Sequence, residues 1–267
     1  MDFLTTTIYG IVQGLCEFLP ISSSGHLALM PYVLNTPDPG PVFDLIMHLG
    51  TLFAVLIYFR KKIFLLLSSF YLQLRSRKRN EHSWFIEYFT ITTGVTGVLA
   101  LCFEPISKNY ARDLLFIGFN SIFFGILLYT SHRKKITKEN FFNTKGHYTS
   151  SIFLGIAQSI AVFPGVSRSG ITLTTCRFLG VSPREACEFS FLLSLPPVFI
   201  GALVKIIKLE NFSLLNMPLL WGLCLSFILG ITTIHYFLQW ISKSSPLIFC
   251  LYRIFLGLIC IGVYVAK

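Results

Sequence analysis

Glu17, Ser23 and His26 lie six and three residues apart in an otherwise apolar stretch, Gly10-Ile11-Val12-Gln13-Gly14-Leu15-Cys16-Glu17-Phe18-Leu19-Pro20-Ile21-Ser22-Ser23-Ser24-Gly25-His26. A hydroxyl, a carboxylate and an imidazole brought together could serve as nucleophile, base and proton donor. A second stretch, Pro164-Gly165-Val166-Ser167-Arg168-Ser169-Gly170, places a guanidinium among serines and glycines, again between apolar residues. An arginine at membrane depth costs about 2.5 to 3.5 kcal/mol even on the lenient insertion scale, so Arg168 must find an anion. Its bidentate fork suits phosphate oxygens. Glu17 offers the competing partner, in a purely structural ion pair.

The residues around these groups favour an anion. Glycine frees the backbone in each stretch and a new helix is expected to begin there, so unpaired N–H groups and a positive dipole end face one spot. Ser22, Ser24, Gly25, Gly165, Ser167, Ser169 and Gly170 are therefore the candidate cradle. Serine N-capping explains one such residue, but strains to explain three beside a glycine. Gln13 and Glu17 are four apart, on one helical face. Glu17 is a candidate ligand for a divalent cation with Gln13 beside it, or a partner of Arg168 or His26. Gln13 and Gln158 could equally be interhelical hydrogen-bonders. Asp44 and His48 are expected near the outer end of the next span, behind the chemistry or purely structural. Glu188, His235 and Arg253 are polar groups in or near spans that could pair with one another.

The elements that must position these residues repeat. Segments 10–25 and 155–170 align without a gap, with seven of sixteen positions identical: Gly10/Gly155, Ile11/Ile156, Gln13/Gln158, Phe18/Phe163, Ser22/Ser167, Ser24/Ser169 and Gly25/Gly170. Broken apolar segments at matching places in two halves point to a site near the bilayer midplane. Apolar spans are expected near 42–59, 84–102 and 113–130 after the first copy, and near 186–204, 214–236 and 247–266 after the second. Three crossings per half is odd, so re-entrant broken hairpins make the second half inverted relative to the first. The expected fold is an all-α polytopic membrane protein, one integral domain over 1–267, with repeat halves at about 1–135 and 150–267. The apolar stretch 63–74, bounded by charges, reads as an interfacial helix.

Composition agrees, with 54% hydrophobic and 13% charged residues in 267. Met1-Asp2 gives no basic n-region, so the first stretch is expected to be mature structure rather than a signal peptide. The formal charge of +10 does not indicate nucleic acid, because the basic residues sit in short loops between spans. With loop 60–80 inside, fifteen of the 22 Lys and Arg fall on that side and five (Lys108, Arg112, Lys205, Lys208, Lys267) on the other, leaving Arg168 and Arg253 in the membrane. Both termini are then outside. The run Arg75-Ser76-Arg77-Lys78-Arg79 could also touch anionic headgroups. Seven cysteines without metal-type spacing read as small core hydrophobes.

The two motifs resemble those of the undecaprenyl-diphosphate phosphatase family, also called the bacitracin resistance protein family. Its first signature is matched by Gln13, Glu17 and Pro20-Ile21-Ser22-Ser23-Ser24-Gly25-His26, and its second by Pro164 to Gly170. The resemblance extends over essentially the whole chain. It implies hydrolysis of the terminal phosphate of a polyprenyl diphosphate in the bacterial cytoplasmic membrane, recycling the carrier lipid of peptidoglycan, with the site facing the outer side. It implies Glu17, Ser23, His26 and Arg168 as essential residues and Mg²⁺ or Ca²⁺ as cofactor, with a homodimer as a candidate assembly. Many relatives carry glutamate where this chain has Gln13, which removes one anionic metal ligand. Ser23, deprotonated through His26 or Glu17, or alternatively an activated water, would attack phosphorus.

Two rivals follow. Ser23-Ser24-Gly25-His26 and Ser167-Arg168 echo type 2 phosphatidic acid phosphatases, but the next histidine after Arg168 is His235, too far along for that class. A transporter or flippase of a polyprenyl phosphate would also build inverted repeats around an anion site. Binding alone, however, needs no nucleophile, acid and base together.

Overall fold

The computed structural model describes residues 2–136, 140–144, 148–207 and 216–266, with 205–207 as backbone only. Lys138, Lys145, Lys208, Lys267 and the side chain of Lys205, counted above for orientation, lie outside the described residues. Within them the regular elements are twelve α-helices and two short 3₁₀ turns.

Among the described residues, six helical stretches are long and apolar enough to cross a membrane: α3 (Gly40–Tyr58), α5 (Ser83–Lys108), α6 (Leu114–His132), Pro183–Val204, α11 (Met217–Ile241) and α12 (Leu247–Val265). They match the six spans read from hydrophobicity. The Pro183–Val204 span is broken into α9 (Pro183–Leu193) and α10 (Leu195–Ile207) at Ser194, just before Pro196 and Pro197. Two pairs of short helices complete the set: α1 (Phe3–Cys16) with α2 (Ser23–Leu34), and α7 (Tyr148–Ser159) with α8 (Arg168–Phe178). Each pair is one apolar stretch interrupted by its Pro- and Ser-containing turn. α4 (Arg60–Ser76) covers the stretch expected at 63–74, follows α3 after Phe59, and leaves most of its apolar side chains exposed.

Lipid tails are as apolar as leucine, so close backbone approach, rather than hydrophobic transfer, holds the spans together. α6 crosses α12 glycine on glycine: a Cβ on Gly118 would meet the Gly257 carbonyl oxygen at 2.8 Å, and one on Gly257 would meet that of Gly118 at 2.7 Å. α1 meets α11 in the same way, where a Cβ on Gly10 would lie 2.7 Å from the Gly222 oxygen. Ser226 of α11 donates to the Met47 carbonyl of α3 at 3.0 Å. All seven cysteines are free. Five are buried as expected, whereas Cys102 and Cys224 face outward from their spans.

Gly257→Val is expected to force α6 and α12 apart and to lower the apparent melting temperature in detergent, an overpacking cost of about 1 to 3 kcal/mol. Gly262→Ala, where an added Cβ meets nothing within 4 Å, should leave it unchanged.

Candidate active site

Both interrupted stretches fold the same way locally. Ser22 precedes α2 with φ 72° and Ser167 precedes α8 with φ 69°. This left-handed region costs a serine about 1 to 3 kcal/mol and recurs at functional sites. Each hydroxyl caps its helix: Ser22 Oγ accepts from the Gly25 N–H at 3.3 Å and Ser167 Oγ from the Gly170 N–H at 3.1 Å. Each also lies 3.3 Å from the hydroxyl of the serine two residues on, Ser24 and Ser169 respectively. The amides of Gly25 and Gly170, expected to face a ligand, thus have protein partners. Gly165, with φ 86°, packs so closely on α6 that a Cβ would lie 2.6 Å from the Ile117 oxygen. These three glycines shape the turns.

The two turns meet at one buried carboxylate. Glu17 follows directly on α1 and is 8% exposed. Its Oε1 accepts from Arg168 Nη2 at 2.8 Å; its Oε2 accepts from Ser23 Oγ at 2.7 Å and Gln13 Nε2 at 3.0 Å. His48 Nε2 lies 3.4 Å from the same Oε2. Arg168 also donates to the Ser190 carbonyl of α9 at 3.1 Å, and Ser169 Oγ donates to the Leu19 carbonyl at 3.0 Å. Breaking a buried pair such as Glu17–Arg168 from one side costs about 3 to 5 kcal/mol. Gln13 is steadied by Thr51, to which its Nε2 comes within 3.4 Å. Ser23, Ser24 and Arg168 keep partial exposure while Glu17, Ser22, His26, Ser167 and Ser169 are buried.

His26 is not on Ser23. Its Nδ1 bonds the Ser22 carbonyl at 2.7 Å, one helical turn back, and its Nε2 bonds the Tyr252 hydroxyl at 2.7 Å, the two rings lying parallel. A carbonyl only accepts, so Nδ1 carries the proton; in the neutral ring Nε2 then accepts from Tyr252. The polar group on Ser23 is Glu17.

Sequence reasoning also missed Arg253. It does not pair with Glu188, which takes Lys62 at 3.0 Å and Arg184 at 3.2 Å, or with His235, which bonds Gln239 at 2.8 Å. Arg253 is 0% exposed. It donates to four carbonyls: Pro20 at 3.3 Å, Ser121 at 3.2 Å, and Gly165 and Val166 at 2.9 Å each. The signal was present: an arginine in an apolar span with no acid one turn away needs carbonyls, and interrupted helices supply them. Asp44 accepts from Arg112 at 2.6 Å and its carbonyl takes His48 Nδ1 at 2.7 Å, holding that imidazole behind Glu17. Gln158, unlike its mate Gln13, has neither amide atom bonded among the described residues.

A hydroxyl on one oxygen of a carboxylate, with a guanidinium on the other, can attack an electrophile bearing negative charge. Among the described residues no group of three or more His, Cys, Asp or Glu is placed to hold a metal. Glu17 supplies one carboxylate, and the buried Oε1 of Gln13 has no partner among the described residues. That donor set fits a hard cation completed by phosphate oxygens and water, the usual way magnesium is held.

The chain matches the family described as "Bacitracin resistance protein BacA" over residues 6–259. It is 38% identical over 263 residues to the undecaprenyl-diphosphatase of Campylobacter concisus, covering 96% of this chain and 97% of that protein. Its identity to the protein of the same name from Campylobacter curvus is 35% over 270 residues, covering 99% and 100%. To that of Desulforudis audaxviator it is 38% over 252 residues, 94% of each.

Arg253→Lys keeps the charge but not the fork, leaving buried carbonyls of both turns unbonded at about 1 to 3 kcal/mol each. The expected result is a clearly lower melting temperature, with Arg253→Met lower still; a wild-type melt for both would remove Arg253 from this account.

Proposed function

The chain belongs to the bacitracin resistance protein family, and from that premise we propose how its residues perform the activity. The protein is a multi-pass membrane phosphatase that hydrolyses undecaprenyl diphosphate to undecaprenyl phosphate and phosphate, returning the carrier lipid to cell-wall synthesis. The observation that carries the mechanism is the sharing of Glu17, with Ser23 Oγ 2.7 Å from one oxygen and Arg168 Nη2 2.8 Å from the other.

Arg168 has five N–H donors and uses two on Glu17 and Ser190. The rest hold the terminal phosphate and stabilise charge as it develops on the transferring group. Ser24 and Ser169 add hydroxyls at the helix starts, whose positive dipole ends favour the same charge. Ser23 Oγ attacks the terminal phosphorus while Glu17 takes its proton. The bond from that phosphorus to the bridging oxygen breaks, and undecaprenyl phosphate leaves. The departing phosphate oxygen takes the proton from Glu17, which, a carboxylate again, deprotonates a water; that water attacks the phosphorus, the bond to Ser23 Oγ breaks, phosphate leaves and the proton returns from Glu17 to Ser23. His26 holds the Ser22 carbonyl and so the direction of Ser23. Gln13 Oε1 and Glu17 would hold a magnesium or calcium ion, which supplies neutralisation of the diphosphate when bound.

The repeat halves, about 1–135 and 150–267, are read as inverted, since two turns of matching geometry reach one carboxylate. The fifteen-to-five distribution of Lys and Arg supports an inner-membrane protein with both termini outside and the site opening outward.

The test is phosphate release from undecaprenyl diphosphate by the purified protein. Ser23→Ala and Arg168→Ala are each expected to lower kcat by roughly a hundredfold or more, and turnover surviving Ser23→Ala would hand the attack to water. Chelation of divalent cations should abolish turnover of wild type and restore it on adding back Mg²⁺; full activity in the chelator would remove the metal from the site.

A further inference from the structure

We infer that the isoprenoid chain of the substrate lies in a lateral cleft between α3, α4, α5 and the broken α9–α10 span, and that this cleft makes the enzyme discriminate by chain length. The inference rests on the phosphatase reading above. The cleft has a volume of about 490 Å³, and of its lining residues Thr90 alone is polar.

The wall of the cleft continues toward the diphosphate site. Phe85 and Leu192, which line it, belong to one apolar cluster with Phe18, the residue after Glu17, and Phe18 packs edge-on against Phe191 with ring centroids 5.1 Å apart. The α9–α10 break opens the wall here, since Leu195 and Pro196 follow Ser194 directly and also line the cleft. The other side is α4, whose Ile63, Leu66, Leu67 and Phe70 fall at helical i, i+3, i+4, i+7 spacing and face the hollow. Leu67 remains 62% exposed and Phe199 54% exposed, so the cleft is open sideways to lipid. A chain can enter from the bilayer without threading. The neighbouring hollow of about 460 Å³, lined by Lys62, His82, Arg184, Glu185 and Glu188 among others, is charged and does not suit hydrocarbon.

Bilayer tails are as apolar as the cleft, so a chain moving into it gains packing but no hydrophobic transfer. Trimming the wall should therefore matter little, and obstructing it should matter more. Leu56 and Leu66 line the cleft, bond none of the diphosphate residues, and are partly exposed, so a larger side chain there need not disturb the fold.

The experiment compares hydrolysis of undecaprenyl diphosphate and of short-chain farnesyl diphosphate in lipid nanodiscs by wild type, Leu56→Trp, Leu66→Trp and Phe199→Ala. The expected result for the two tryptophan variants is a KM for undecaprenyl diphosphate raised roughly tenfold, with kcat/KM for farnesyl diphosphate within about twofold of wild type and Phe199→Ala close to wild type on both. Equal losses on both substrates would overturn the inference by making the effect a disturbance of the site. No change on either would also overturn it, assigning the cleft to ordinary acyl chains. A folded wild type that hydrolyses neither diphosphate would instead overturn the phosphatase reading and the inference with it.

Discussion

A guanidinium fully enclosed in protein at membrane depth, with carbonyls and no carboxylate around it, is the interaction on which the architecture turns. Interrupting a helix inside a bilayer exposes backbone carbonyls that water cannot reach, which is tolerated only where protein satisfies them. Arg253 does this for both interruptions at once, through Pro20 on one side and Gly165 and Val166 on the other. These carbonyls belong to turn residues just ahead of Ser22 and Ser167, so the cation fixes the backbone from which α2 and α8 both start. Because α12 carries Arg253 and is held to α6 by the glycine crossing at Gly118 and Gly257, the two turns share one fixed support.

With the turn carbonyls held by Arg253, the two helix starts are fixed in place. Ser23 and Arg168 are each the first residue of their helices, α2 and α8. They occupy the same place in the two copies of the repeat, and they reach the two oxygens of the same carboxylate. The strained backbone of Ser22 and Ser167 is what turns them there. Such strain persists only when surroundings over-determine it. Here the serine caps, the His26 bond to the Ser22 carbonyl and the Arg253 bonds do so.

Much of this was legible because it rests on local pattern. Six apolar runs gave six spans, one of them broken at Ser194, and a lone arginine between glycines demanded an anion and received Glu17. What stayed hidden depends on partners distant in sequence. Arg253 looked like a polar residue in search of an acid; the lack of an acid one turn away pointed to carbonyls but not to which ones, since every residue owns one. His26 stands three residues after Ser23, which suggests contact, but the ring turns back to Ser22 and outward to Tyr252, 226 positions away. Gly25 and Gly170 promised free amides, but the Ser22 and Ser167 hydroxyls cap them.

The repeat also accounts for why chemistry sits at the seam of the two copies rather than inside either. Duplication provides two similar helix starts, each good for an anion. Divergence then separates the roles: Glu17 stands opposite Val162, Ser23 opposite Arg168 and His26 opposite Ile171. The first copy keeps carboxylate and hydroxyl, which alone would repel a diphosphate. The second keeps the guanidinium, which alone would bind it without attacking. Placing Arg168 on Glu17 neutralises the carboxylate and, in the mechanism proposed above, brings the anion binder within reach of the nucleophile. A diphosphate drawing Arg168 toward its own oxygens would loosen that pair and strengthen Glu17 as a base toward Ser23. Binding and activation then become one event, which a single copy of the fold has no means to produce.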